Sequence, residues 1–300
     1  MTGKWNSLVG AGALAMFFCW GTSVTAAQNS QGGQSQTPQQ QPPQQQPQPQ
    51  PNDKEKQPNP PPLKMDNAAS APATPEEEAA YKKLQESSEP AKKIQMGEEF
   101  VQKYPQSRYR PAVYQILVSG YFVTQQVPKL LETGEKEIEL NPNDAPILAV
   151  MGQTLARTYN AKEPDAAKKL EKAEAYSKRA IEVVPTLSKP ENLSEEAFLS
   201  AKNDTLVMAH GGLGLVYLRR GKFQDAIPEL EESVKADTHP DPDPVNYYLL
   251  GIADKQTSHF DAAAKAFSKC ATVQSSLQAT CKTSAEEAKK QSSTQLSAPN

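Results

Sequence analysis

The stretch 207–240, VMAHGGLGLVYLRRGKFQDAIPELEESVKADTHP, constrains this chain more than any other. It reads as two amphipathic helices folded back on each other. Leu213, Gly214, Tyr217 and Leu218 share one face at helical spacing. Gly221 then interrupts the pattern, and glycine ends a helix at little steric cost. In the run that follows, Phe223, Ala226, Ile227, Leu230 and Val234 fall on one stripe. Gly214 and Ala226 are small where two helix axes must approach, while Tyr217 and Phe223 are bulky where the gap must be filled. One such pair cannot bury its apolar face alone, so stacked neighbours of the same kind must supply the core.

Neighbours of that kind are present. Thr74 and Pro75 read as N-cap and first helical residue, followed by Glu76, Glu77 and Glu78 near the positive end of the helix dipole. The pair they open covers 74–107 and serves as a degenerate cap. The unit 111–144 carries Leu117 and Tyr121 on its first helix and leaves through Asn141 and Pro142. The unit 145–187 has Met151 and Gly152 on its first helix, Ala173 and Ala180 on its second, and an insertion at 160–168. After the connector at 187–192, a helix starts at Ser194 and runs to Arg220. A break at Asn203 and Asp204 stays open, since both residues favour caps. The connector HPDPDP leads into 244–277, with Leu250, Gly251, Phe260, Ala263, Phe267 and Cys270, and with Asp254 in the place of Tyr217. A capping helix over 275–291 and a frayed tail at 292–300 complete the chain.

These pairs resemble the tetratricopeptide repeat (TPR), whose period is about 34 residues. Leu213, Gly214, Tyr217, Ala226 and Leu230 match its motif; His210 and Ser233 depart from it. The resemblance implies an all-α, right-handed solenoid over 74–291. It also implies a non-catalytic role, with a protein or extended peptide held on the concave face lined by the first helix of each pair. On those helices the residues pointing away from the intra-pair core are Gln115, Ser119 and Phe122, then Gln153 and Arg157. Leu215 and Arg219 follow, and Tyr248, Ile252 and Lys255 close the row. Amides suit a peptide backbone, and Arg or Lys suits a carboxylate. The carboxylate-binding subclass wants Lys and Asn on successive turns, where this chain has Gly211 and Leu215.

The N-terminal segment has the three parts of a secretory signal over 1–27. Lys4 supplies the positive region, Leu8 to Trp20 an uncharged and mostly apolar run, and Thr25, Ala26 and Ala27 the small residues before cleavage. The alternative is an uncleaved anchor, since a bilayer needs about 20 apolar residues. The Gln/Pro tract that begins the linker at 28–73 buries too little apolar surface to offset the entropy of ordering, and reads as a disordered, extended spacer. Export favours a periplasmic or secreted envelope adaptor; retention of the anchor favours a scaffold that the spacer holds off the membrane.

Other chemistry finds little support. Hydrophobic residues make up 37% and the net charge is −3, so no basic face points to nucleic acid. His210, His239 and His259 share no metal-ligand spacing, and no cysteine pair has zinc spacing. His239, Asp241 and Asp243 lie close together, but the loop lacks the glycine and terminal Glu of a calcium loop. GGLGL at 211–215 sits in mid-helix and serves close packing rather than phosphate binding. No cofactor is expected. Cys270 and Cys281 leave two readings open: a disulfide between the last repeat and its cap, or a buried Cys270 with a free Cys281.

Overall fold

The computed structural model describes residues 73–191 and 193–297. The expected signal and all but the last residue of the expected linker lie outside them. Among the described residues all regular structure is helical. The helices are α1 (Pro75–Glu86), α2 (Pro90–Lys103), α3 (Arg110–Val123), α4 (Val127–Leu140), α5 (Ala145–Arg157) and α6 (Ala166–Val183). A single 3-10 turn follows (Val184–Thr186). Then come α7 (Glu195–Arg219), α8 (Phe223–Ala236), α9 (Pro244–Gln256), α10 (Phe260–Thr272) and α11 (Gln278–Ser297).

Local sequence sets these limits. Pro occupies the first turn of α1 to α5 and of α9, where its missing N–H costs nothing. Thr74, Asp144, Ser194 and Asp243 accept hydrogen bonds from the first-turn amides of Glu77, Ile147, Ala197 and Val245. Gly221 closes α7 at φ +71°, a conformation that few other residues tolerate. The insertion at 160–168 lengthens the turn from α5 into α6, where Lys169 Nζ bonds the Thr158 carbonyl at 3.0 Å and Glu163 at 3.1 Å.

Helices pack in chain order, each pair antiparallel and each second helix against the next first helix. The pairing rests on a small residue facing a large or backbone-close one. A β-carbon on Gly214 would meet the Leu230 side chain at 2.6 Å, and one on Gly251 would meet the Phe267 ring at the same distance. A β-carbon on Gly152 would lie 3.0 Å from the Ala173 carbonyl and the Ser177 amide. Between units, Gly212 brings α7 within 3.0 Å of the Gln153 backbone by the same measure. Leu84, Leu130, Leu148, Met151, Leu213, Leu230 and Phe267 fill the interior, each fully buried side chain of this size contributing about 1.5–3 kcal/mol.

Two elements run longer than the sequence pattern implies. Helix α7 continues without a break through Asn203 and Asp204. The Asp204 carboxylate is engaged by His239 Nε2 at 2.6 Å instead of capping a helix start. Helix α11 continues to Ser297, past the expected end at Gln291. Ser292, expected in a frayed tail, is buried and donates to Asp261 Oδ1 at 2.5 Å.

At this end the structure places Cys270 of α10 and Cys281 of α11 in disulfide geometry, with Cα atoms 5.8 Å apart. Both side chains are fully buried. The rest of the α11 inner face is small (Ala285, Ala288 and Ser292), so it offers little apolar area of its own.

Gly152→Ala pushes backbone against backbone at the α5–α6 contact and is expected to lower stability by about 1–3 kcal/mol in denaturant titration. An unchanged midpoint would show that the contact relaxes freely. Cys281→Ser is expected to cost about 2–3 kcal/mol in the last helix pair. Hydrogen exchange in α3 to α5 should stay unchanged, because solenoid coupling is nearly nearest-neighbour. Two labelled thiols per mature, unreduced chain would refute the pairing.

Candidate partner-binding surface

The residues expected to line a groove divide into three groups. On α3, Ser119 is exposed, Phe122 is half-buried against the first core cluster, and Gln115 donates from Nε2 to Asp144 Oδ2 at 2.5 Å. Val123, which the repeat register did not single out, is 53% exposed beside them. From Pro111 to Val123 this helix carries no charged side chain.

On α5 and α7 the expected groove positions are taken up by packing. Gln153 is 3% exposed, because Gly212 carries no side chain to keep α7 away from α5. Leu215 is 8% exposed and packs with Leu155, Ala156 and Val216. Neither presents an open surface in this arrangement. Arg157, at the end of α5, reaches Asp243 Oδ2 at 3.3 Å, two units further along the chain. The guanidinium of Arg219 lies over the Tyr159 ring, 5.9 Å from its centroid.

On α9 the groove positions meet α10 and the inner face of α11. Tyr248 tilts against Phe267 with centroids 5.8 Å apart, and Ile252 joins the same cluster with Ala285 and Ala288. Lys255 Nζ meets Glu287 at 3.0 Å. The last repeat therefore turns its groove positions toward its own second helix and its cap.

The acidic partners in these contacts were missed by pattern reading, although two carry a signal. Asp144 and Asp243 both stand immediately before a first helix, each followed within two residues by proline. Each uses one oxygen to cap its helix, from Ile147 N at 3.2 Å and Val245 N at 2.9 Å. Each gives its other oxygen to a groove residue of an earlier helix, Gln115 or Arg157.

The connector between α8 and α9 is held in the same manner. Asp237 accepts from the His239 and Asp243 amides at 3.2 and 2.7 Å, and the His239 ring meets Asp204 of α7. His239 and Asp243 therefore face different partners. That hydrogen bond to Asp204 raises the His239 pKa above its ordinary 6.5. His210, at a motif departure, meets Glu229 of α8 at 2.7 Å. Asp254, which stands in the place of Tyr217, is buried 3.7 Å from His259, and burial pushes its carboxyl up to about 6.

The glycine of each later first helix meets an equivalent residue of the second helix: Ser177, Leu230 or Phe267. That partner stands the same number of residues further on in the last two units, and further by the 160–168 insertion in the third. The fold is a TPR-type solenoid. Two solved structures resemble it. One is the crystal structure of TTC0263, a thermophilic TPR protein in Thermus thermophilus. It is 17% identical, with 71% of this chain and 98% of that chain covered at a TM-score of 0.45. The other is the MamA RS-1 ArsTM double mutant, at 14% identity, 66% and 93% coverage and a TM-score of 0.47. No protein-family model matches the sequence, and no curated protein does. The assignment rests on the helix pairing itself.

Because the His239 pKa is raised by its carboxylate partner, the tie between the connector and α7 is whole below pH 6.5 and fades as pH rises through the folded value. A ring-proton titration by NMR should place the His239 midpoint above 6.5, and Asp204→Asn should return it toward 6.5. A midpoint unaffected by that change would assign the shift to another cause.

Proposed function

We propose that this chain is an exported, non-catalytic adaptor of the bacterial envelope that takes an extended segment of a partner protein on the face of its first helices. Docking begins at α3. The observation that carries this reading is the open, uncharged face of that helix, where Ser119, Phe122 and Val123 adjoin one another. An apolar anchor with hydroxyl and amide groups beside it suits a peptide backbone more than a charged small molecule. Arg157 extends the site as a switchable contact. Its single bond to Asp243 Oδ2 can be exchanged without uncapping α9, because the cap uses Oδ1.

Export draws support from the N-terminal sequence and from a cysteine pair that an oxidising compartment would keep closed. No helix among the described residues is long and apolar enough to cross a membrane. If the N-terminal segment is retained, the same solenoid becomes a tethered scaffold, and sequencing the mature N-terminus separates the two: a start at Gln28 removes the anchor.

Affinity capture from an envelope fraction tests the adaptor reading. Ser119→Arg with Val123→Asp alters exposed side chains alone and should reduce partner recovery about tenfold, equivalent to about 1.4 kcal/mol of binding. Equal recovery by wild type and the double variant, with matching circular dichroism, would remove the α3 face from the site.

A further inference from the structure

Four second helices share one register position. It is occupied by Ala180 on α6, Ser233 on α8 and Cys270 on α10, all small and all fully buried. On α4 the same position holds Glu137, whose carboxyl is equally buried at 0% exposure. Each sister residue is satisfied where it lies. The Ser233 hydroxyl donates to the Val207 carbonyl at 2.8 Å, Cys270 lies in disulfide geometry with Cys281, and Ala180 has nothing to satisfy. Neither oxygen of Glu137 meets a donor. An ionised carboxylate so placed would be far from its most stable state, since burial without hydrogen bonds disfavours charge strongly.

Asp144, the N-cap of α5, is also buried, and both its oxygens already accept, from Ile147 N and Gln115 Nε2. The other ionisable groups around α4 are engaged elsewhere. Lys136 pairs with Glu132, Glu135 takes Lys172 and the Tyr176 hydroxyl, and Arg179 turns to Asn143 and Glu182. Tyr114 of α3 bears on Lys136, not on Glu137. Asp144 is the charged group that acts on Glu137 among the described residues.

We propose that Glu137 is held as the neutral acid, hydrogen-bonded to Asp144, and that release of its proton loosens the joint between the second and third helix pairs. In the neutral state Glu137 O–H donates to the Asp144 carboxylate, so one proton serves two buried acids. Loss of that proton to solvent leaves two buried negative charges at the start of α5, and Asp144 can then no longer hold both Gln115 and Ile147 in place. The joint is a pH-responsive hinge. It sets the relation of α3, which carries Gln115, to α5, whose first turn Asp144 caps, and it stands whether or not α3 binds a partner. Burial and the adjacent Asp144 raise the Glu137 pKa to about 8 from an ordinary 4.5. With the folded value raised, the acid's contribution to stability is whole below 4.5 and is gone once pH has passed about 8.

Carboxyl-carbon NMR of the full chain with labelled glutamate tests the hinge, with Glu137→Gln identifying the signal by its loss. The Glu137 carboxyl should titrate near 8, and the Ile147 amide and Gln115 side-chain signals should move with the same midpoint. In Asp144→Asn the Glu137 midpoint should fall, because the neighbouring charge is removed while the cap is kept. A Glu137 midpoint near 4.5 in wild type would overturn the proposal. So would Ile147 and Gln115 signals that stay still while Glu137 titrates, or that move alike in Glu137→Gln.

Discussion

The close approach of helix axes is the constraint on which the rest of this structure depends. Glycine at 152, 214 and 251 lets each of the last three first helices lie directly on its second helix. A β-carbon at any of these places would sit inside a neighbour's van der Waals shell. Interiors packed this tightly forfeit contact energy for any forced separation. The same logic operates between units at Gly212, where α7 approaches the α5 backbone. Tight packing along the first helices then decides which side chains remain for a partner. The middle of the row is closed by α5 against α7, the last unit is turned toward α10 and α11, and α3 keeps its face.

Polar groups follow from that geometry. A first helix that ends against a neighbour must have its charges satisfied within the molecule, because water reaches them only in part. Asp144 and Asp243 meet this need twice over, capping one helix and receiving a side chain from another. Such ties are modest at partly exposed sites, where an ion pair contributes about 0–1 kcal/mol. Their effect lies in geometry. Arg157 is tied across two units and Gln115 across one, so both side chains are oriented before any partner arrives.

The helix pairs were legible because their signals are local and redundant. Thr74 and Ser194 announce starts, Gly221 announces a stop, and the apolar spacing of 207–240 fixes which faces meet. What was hidden depends on contacts between units. Nothing near Gln153 in the sequence says that Gly212, far along the chain, will press on its backbone. The continuity of α7 is of the same kind. Asp204 has the chemistry of a cap, and only its encounter with His239 from the next connector removes it from that role. Likewise the length of α11 rests on Ser292 meeting Asp261 on α10. Lys255 looked available in the repeat register, but the packing of the capping helix brings Glu287 to it.

The register position shared by Glu137, Ala180, Ser233 and Cys270 shows how one packing problem admits different chemistry. The space accepts a small side chain, and Ala180 fills it without further demands. Ser233 adds a hydroxyl that must be satisfied, and the Val207 carbonyl accepts it, which ties α8 to α7. Cys270 adds a sulfur that Cys281 can take up, which ties α10 to the cap. Glu137 adds two oxygens where no donor exists, so it can be accommodated only by keeping its proton and facing Asp144. Ala180 makes no bond to its surroundings, and α6 is held to α7 by Arg220 on Glu174 instead. The bond at Ser233 is insensitive to pH, and a closed cysteine pair would be so too. Among the four, the joint between the second and third helix pairs alone has a titratable group at this position, so it is there that proton concentration acts through the shared register site.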